Sequence, residues 1–423
     1  MPRAAAATAK RLRSRAAAQP LEHNILLTAT LCLLAYGAIM VYSASSARTL
    51  LQGQGDGSTF LVRYLIYGAI GFVAMHVIAR RGLGVVVRLT GPLLGFAFAC
   101  LVLVKLPGLG VTVNGARRWL GAGPLQFQPS EVAKLALVLY AAKILAHRPG
   151  KLRHPRQVTP LLLVAGIAIL LVASQPDLGT ALVIAFTMSA LLVAAGLPLR
   201  YLLIGAAVAG FLVFVYAMSA PYRRARLTTF LDPWSHAGDA GFQAVQGQIA
   251  LGSGGLFGRG LGQSVQKIFY LPEAHTDFIL AIIGEELGVA GVSAVLFLYG
   301  LVAYAGLRVA KRASGAYAKL VAAGVTSLIL SQACLNVFTV LGLAPLTGVP
   351  LPFISYGSTN LIVLLAGMGL LLNVANGGSA HLRAVPSRRN ATGSRHGADD
   401  RDRRGRDRRA RGARAGGRRR AAG

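Results

Sequence analysis

The chain has 423 residues, of which 54% are hydrophobic and only 14% charged, and its mean hydropathy is +0.56. Soluble domains carry about 25% charged residues, so this composition excludes a water-soluble globular protein and defines a chain built to face lipid. The formal net charge of +30 does not describe the body of the chain, because much of it lies in the opening MPRAAAATAKRLRSR and the closing RDRRGRDRRARGARAGGRRR.

Those two ends lack the apolar residues that would offset ordering entropy, and they read as disordered segments over 1–24 and 376–423. The basic tail either fixes topology and solvates the terminus or meets anionic lipid. It has no aromatic residue between its arginines, hence no stacking platform, and nucleic acid is not expected as a partner. Cys32, Cys100 and Cys334 all fall inside apolar runs. Neither a disulfide framework nor a cysteine metal site is expected.

A membrane crossing needs about 20 mostly apolar residues. Ten such runs follow one another at roughly 25–43, 61–79, 83–104, 130–147, 158–174, 177–195, 200–219, 277–307, 318–342 and 353–375. The expected fold is all-α: a polytopic membrane protein with ten transmembrane helices over 25–375 and one large extracytoplasmic loop at about 220–276. Lys and Arg in short loops set the orientation. With the N-terminus inside, the inner segments are Arg80 and Arg81, HRPGKLRHPR, the turn at Arg200, LRVAKRASGAYAK and the tail, all basic. An even number of crossings returns the C-terminus to the same side, so both termini are expected in the cytoplasm. Most acids outside the tail then fall at or near the outer face.

Taken in chain order, the polar segments of that outer face offer several chemistries. NGARRWLG carries Arg117 and Arg118 against the usual charge bias, either as ordinary loop charge or as an anion site. Trp119 is an interfacial aromatic or a surface on which a sugar stacks. In QPSEVAKLAL, Glu131 and Lys134 are three apart and share one helical face. They form a structural pair or, with the arginines, a phosphate clamp. Asp177 in SQPDLGT reads as a helix cap. PYRRARLTTF adds Arg223, Arg224 and Arg226. In the long loop, GFQAVQGQIAL has a helical apolar rhythm suited to lying on the membrane. GSGGLFGRGLGQS supplies tight turns and backbone N–H nests. It is no dinucleotide fingerprint, and the chain has no P-loop lysine motif, so nothing supports ATP-driven transport.

The segment LPEAHTDFILAIIGEELG gathers Glu273, His275, Asp277, Glu285 and Glu286 where an apolar run begins. Thr276 or Asp277 either caps that helix or places an ionisable group at the membrane boundary, where such groups mark function. A carboxylate there can serve as general base. Glu285 lies about 12 Å further along a helix, closer to the Asp277 face than Glu286, at about 1.5 Å per residue. Both glutamates are equally open to buried pairing. SYGSTN opens the last run after GVPLPF and suits either turn chemistry or the lining of a cavity.

NGARRW, QPSEVAKL, QPDLGT, PEAHTDFI with GEELG, and GVPLPFISYG occur here in the order in which they occur in the SEDS family of bacterial cell-wall synthesis proteins, to which FtsW, RodA and SpoVE belong. The chain resembles that family over about residues 25 to 375. PEAHTDF and PYRRARLTTFLDPW look more like the FtsW branch than the RodA branch. One departure is SYGSTN, where the family commonly has two glycines after SY. The resemblance implies a ten-helix, multi-pass glycosyltransferase of the bacterial cytoplasmic membrane that polymerises lipid II on the outer face. It places the family's essential aspartate on Asp277, its Glu-x-x-Lys pair on Glu131 and Lys134, and its loop tryptophan on Trp119. It also implies a class B penicillin-binding transpeptidase as partner, among other divisome membrane proteins.

On this reading Asp277 deprotonates the acceptor sugar. Arg117, Arg118, Lys134 and Arg223 stabilise the leaving diphosphate, and His275 and Glu285 complete the substrate site. A divalent cation, Mg or Mn, would be tolerated by the acidic cluster, although no spacing specifies a metal site. The alternatives are a RodA-like polymerase of cell elongation, a lipid II flippase and a recruiting scaffold. Transporters often show inverted repeats with polar groups near the midplane. This chain shows no repeat, and its ionisable groups gather toward one face.

Overall fold

A computed structural model describes residues 20–378 apart from 52, 54–56, 114–115, 123–124, 149–151, 153, 219–228, 240 and 269. Arg223, Arg224 and Arg226 and most of both terminal segments lie outside the described residues. The chain divides into Met1–His381 and Leu382–Gly423, and the architecture is that of the first unit.

The apolar runs are helices. In order they are α1 (Leu21–Leu51), α2 (Thr59–Arg80), α3 (Leu83–Leu103), α4 (Pro129–Ala146), α5 (Thr159–Ala173), α6 (Leu178–Ala194), α7 (Leu199–Met218), the short α8 (Phe242–Ser253) inside the long loop, α9 (Ile279–Arg312), α10 (Ala316–Val340) and α11 (Ser358–Ala375). Among the described residues, seven helices have the length and apolarity of a membrane crossing, counting the 3-10 turn Pro155–Val158 with α5. The expected ten helices are therefore present, but only seven qualify as crossings on those grounds. α6 and the Leu199–Phe211 stretch of α7 are shorter apolar helices, and α4 carries Glu131, Lys134 and Lys143 in its 18 residues.

Two expectations change. Residues 21–24, read as part of a disordered segment, are the first turn of α1. Glu22 there is buried, because Arg308 and Arg312 from the end of α9 reach it at 3.2 and 2.5 Å. A small antiparallel sheet also precedes α4, formed by β1 (Gly110–Val113), β2 (Ala116–Ala122) and β3 (Leu125–Phe127) in the order β1-β2-β3. Val111 pairs with Trp119 but Thr112 pairs with Arg117, so β2 has one extra residue, Arg118. Such a bulge re-aims a side chain.

α10 and α11 are mostly buried and form the centre of the bundle, with α2 packed along α11 and with α4, α6 and α9 around α10. The α2–α11 approach depends on glycine: a Cβ on Gly369 would stand 2.5 Å from Met75 O. Small residues let membrane helices close to backbone contact in this way. Exposed apolar side chains such as Val62, Leu65, Ile66 and Val73 on α2, and Leu89 and Phe96 on α3, make the lipid-facing surface.

The helix ends fall into two groups. Glu22 with Arg308 and Arg312 marks one end, where Asn373 also donates to Ala79 O (2.8 Å) and Arg81 O (2.6 Å). The sheet, the start of α4, the α5–α6 turn, the long loop and the α10–α11 segment meet at the other.

Candidate active site

The acidic cluster folds around a break in α9. Helical backbone runs from Ile279, Gly288 takes φ 66° and ψ −161°, and the helix then resumes to Arg312. In an unbroken helix the amides of residues 289 and 290 would bond the carbonyls of 285 and 286. The glycine-rich loop replaces all four partners. Val289 N and Ala290 N donate to Gly255 O and Leu256 O, both at 3.0 Å, while Arg259 N (3.0 Å) and Gly260 N (2.9 Å) donate to Glu285 O and Glu286 O. A Cβ on Gly288 would stand 2.4 Å from Gly258 N and 2.6 Å from the Leu256 carbonyl carbon. Both the conformation and the space therefore require glycine.

Side chains lock the same joint. Glu285 accepts from Ser264 Oγ at 2.5 Å and from Val265 N at 3.0 Å, with the Arg259 guanidinium at 3.6 Å. Glu286 accepts from Ser43 Oγ of α1 at 2.7 Å and pairs with Lys267 Nζ at 2.8 Å. Lys267 also donates to Gly262 O at 2.8 Å. All of these carboxylate contacts run to the loop or to α1. Glu285, expected beside substrate, is 1% exposed and holds the loop.

Asp277 lies in the turn that leads from this loop into α9. Thr276 N donates to Glu273 O at 3.1 Å, and Phe278 is the N-cap of α9 without a side-chain cap bond. Neither Thr276 nor Asp277 caps the helix. The Thr276 hydroxyl instead meets Glu273 O (2.9 Å), Glu273 Oε2 (3.2 Å) and Asp277 Oδ1 (3.1 Å). Burial raises the Asp277 carboxyl from 3.8 to about 7; the backbone and Thr276 hydrogen bonds oppose the rise, and the Glu273 charge adds to it. The residue still keeps partial access to the surface. A recessed carboxyl that ionises near neutrality is suited to take a proton from a bound hydroxyl.

His275 sits beside it in an aromatic clamp. Its ring centroid is 4.4 Å from that of Phe60 and 5.7 Å from that of Tyr356, and its carbonyl accepts from Tyr356 N at 3.0 Å.

The segment GVPLPF borders Asp277 as buried irregular backbone. Such backbone persists at membrane depth only when protein groups satisfy it. Asn336 Nδ2 donates to Val349 O (2.8 Å), Gln332 Nε2 to Pro350 O (2.9 Å), Tyr299 OH to Pro352 O (2.5 Å) and Tyr64 OH to Phe353 O (2.5 Å). Asn336 also donates to Asp277 O at 2.7 Å. Gly348, at φ 64°, faces the carboxyl, and a Cβ there would stand 3.9 Å from Asp277 Oδ2.

Glu131 and Lys134 are paired, with Lys134 Nζ 2.8 Å from Glu131 Oε2 and side-chain exposures of only 1% and 2%. Lys134 also donates to Gln332 Oε1 at 2.8 Å, and Asn360 donates to Glu131 Oε2 at 2.7 Å. This is a closed network among α4, α10 and α11 rather than an open phosphate clamp. Gln128 precedes α4 as its N-cap, and Ser130 lies inside the helix.

The two arginines of β2 part company. At the bulge, Arg118 Nε donates to Gln175 O at 3.1 Å, its guanidinium also meets Pro176 O, and Asp177 lies 4.0 Å away. Asp177 caps α6 through Thr180 N at 3.1 Å and accepts from Gln128 at 3.0 Å. Arg117 is exposed and Trp119 half-buried. Arg223 lies outside the described residues. Ser43, Lys267, Gln332 and Asn336 were not singled out by sequence. The one signal available for the last two was a pair of carboxamides four apart in an apolar helix.

A bundle of apolar helices long enough to cross a membrane, with a recessed carboxyl at one end, defines a multi-pass membrane protein. Residues 23–379 match the family described as cell cycle protein, FtsW/RodA/SpoVE, and the chain belongs to it. A relative from Geobacter sp. (strain M18), named probable peptidoglycan glycosyltransferase FtsW, is 41% identical over 83% of this chain and 96% of its own length. Stage V sporulation protein E of Bacillus subtilis (strain 168) is likewise 41% identical over 83% of this chain and 96% of its own length. Among solved structures, one described as "Structural coordination of polymerization and crosslinking by a peptidoglycan synthase complex" superposes with a TM-score of 0.70 at 30% identity, covering 84% of this chain and 98% of that one. The crystal structure of Thermus thermophilus rod shape determining protein RodA gives 0.62 at 30% identity, covering 84% and 97%.

Proposed function

We propose that this chain is a peptidoglycan glycosyltransferase that polymerises lipid II into glycan strands at the outer face of the bacterial cytoplasmic membrane, in the FtsW manner that serves cell division. The names of its Geobacter relatives support the activity. The observation that carries the mechanism is Asp277, a recessed carboxyl ionising at about 7 where the long loop enters α9.

The acceptor's 4-hydroxyl oxygen bonds to the anomeric carbon of the donor sugar as the bond from that carbon to the diphosphate breaks. The hydroxyl proton passes to Asp277, and the bonding pair leaves with the polyprenyl diphosphate. A single displacement inverts the α-linked donor to a β-linkage. Positive groups placed in advance stabilise the departing charge. Arg117, exposed on β2 with Trp119 two residues on, and Arg223 serve this role. Arg118 anchors the sheet to the α5–α6 turn, while Glu131 and Lys134 support the site from below. His275 fixes the approach of the loop, and Glu285 holds the glycine-rich clip. A divalent cation, Mg or Mn, sharing the diphosphate charge would take most of its ligands from the substrate and water, because among the described residues no three His, Cys, Asp or Glu are arranged to hold a metal ion.

The basic residues Arg80, Arg81, Arg200, Lys311, Arg312 and Lys319 lie at the Glu22 end of the helices, which supports cytoplasmic placement of that end and of both termini. A class B penicillin-binding transpeptidase is the partner this reading calls for, with other divisome proteins around it. The structural similarity to a chain from a peptidoglycan synthase complex supports such an assembly.

The test is reconstitution of the full chain in liposomes with fluorescent lipid II. Glycan polymer is expected from the intact chain and none from Asp277→Ala. Movement of lipid II between leaflets without polymer would favour the flippase reading instead.

A further inference from the structure

Two carboxamides of α10 grip the peptide segment that borders Asp277. Asn336 Nδ2 donates both to Asp277 O (2.7 Å) and to Val349 O (2.8 Å). One helical turn earlier, Gln332 donates to Pro350 O (2.9 Å) and accepts from Lys134 Nζ (2.8 Å). Val349 and Pro350 are consecutive, and residues four apart share a helical face. One strip of α10 therefore holds Asp277 and Lys134 to neighbouring links of the same backbone. Asn336 and Gln332 are 1% and 0% exposed, so neither reaches substrate. Asn336 Oδ1 has no hydrogen-bond partner, which leaves donation to the two carbonyls as the amide's polar role.

We propose that Asn336 and Gln332 are positioning residues for glycosyl transfer. Asn336 sets the main chain of Asp277 against residue 349, and Gln332 sets Lys134 against residue 350. The two contacts fix the base relative to the Glu131–Lys134 pair. The inference rests on the glycosyltransferase reading with Asp277 as base. Carbonyls that lose their donor in a buried segment drive it to shift or take in water. A misplacement of about 1 Å at a reacting group costs about 100-fold in rate.

The experiment uses the full chain in liposomes as intact protein and as Asn336→Ser, Asn336→Asp and Gln332→Met. It reads kcat and KM with lipid II, and separately the titration midpoint of the Asp277 carboxyl by infrared difference spectroscopy against Asp277→Asn. Asn336→Ser keeps a small polar side chain with one donor and decides the matter if Asn336→Asp does not fold. The expected result for the Asn336 variants is a kcat lowered about tenfold or more with KM little changed. Their carboxyl midpoint should fall below about 7 as the turn loosens and gains water. Folded Asn336→Ser with intact kcat and an unmoved midpoint overturns the role of Asn336, and intact kcat in Gln332→Met removes Gln332. If the unaltered chain makes no polymer, the glycosyltransferase reading fails, while the midpoint in intact and Asn336→Ser protein still decides whether Asn336 positions Asp277.

Discussion

Lys267 Nζ lies 2.8 Å from Glu286 Oε1, with side-chain exposures of 4% and 0%. The two residues are 19 apart and come from the loop and from α9, so their pairing fixes the loop's return to the helix that carries its other end. Removing one member of a buried ion pair leaves an uncompensated charge and costs about 3–5 kcal/mol. Lys267→Met should lower the thermal midpoint of the purified chain markedly, and Lys267→Met with Glu286→Leu should recover most of the loss. Equal midpoints for the single and double variants would separate the pair from stability.

Gly288 holds the other half of that joint. Its φ of 66° and ψ of −161° lie where essentially only glycine is comfortable. Gly288→Ala adds a Cβ 2.4 Å from Gly258 N. The backbone strain alone costs about 1–3 kcal/mol, and the clip of residues 255–260 should open. Limited trypsin digestion checks this, with faster cleavage after Arg259 and Lys267 expected in the variant.

The raised Asp277 carboxyl has two pH consequences of opposite sense. The proposed base works ionised, so kcat/KM should climb with pH through about 7. In folding, the native state holds the proton more tightly than the unfolded chain. Stability from this group is complete below about 3.8 and declines as pH rises toward about 7. Asp277→Asn should abolish polymerisation and raise the thermal midpoint, more at pH above about 7 than at pH near 4. A variant less stable than the intact chain at high pH would contradict the buried carboxyl.

Arg117 and Arg118 should part in mutagenesis as they do in space. Arg117→Ala should lower kcat and kcat/KM with lipid II together, by about 100-fold with the fold intact, the loss expected when an interaction that strengthens in the transition state is removed. Arg118→Ala should instead lower stability by about 1–3 kcal/mol, because the two carbonyls of the α5–α6 turn lose their donor. Kinetics and thermal unfolding on both variants measure this directly.

The helices could be read from composition because apolar runs of membrane length are hard to mistake. Asp277, Glu131 and Lys134 could be read because a charge in an apolar chain is conspicuous. The sheet was missed for a local reason: β3 has 3 residues, and β2 carries a bulge that disrupts its alternation. The break at Gly288 was missed because GEELGVAG continues a helical pattern, and its cause is a loop about 30 residues earlier in sequence. The bond from Asn336 to Asp277 spans 59 positions and that from Ser43 to Glu286 spans 243. No periodicity within either helix encodes such partners.

The most direct measurement is the rate of glycan chain growth from lipid II by the purified, reconstituted chain carrying Asp277→Ala, beside the unaltered protein. The account predicts strands from the unaltered protein and no detectable extension from the variant, although both fold and both bind the precursor. Strands from Asp277→Ala at the rate of the unaltered protein would show that another group removes the proton.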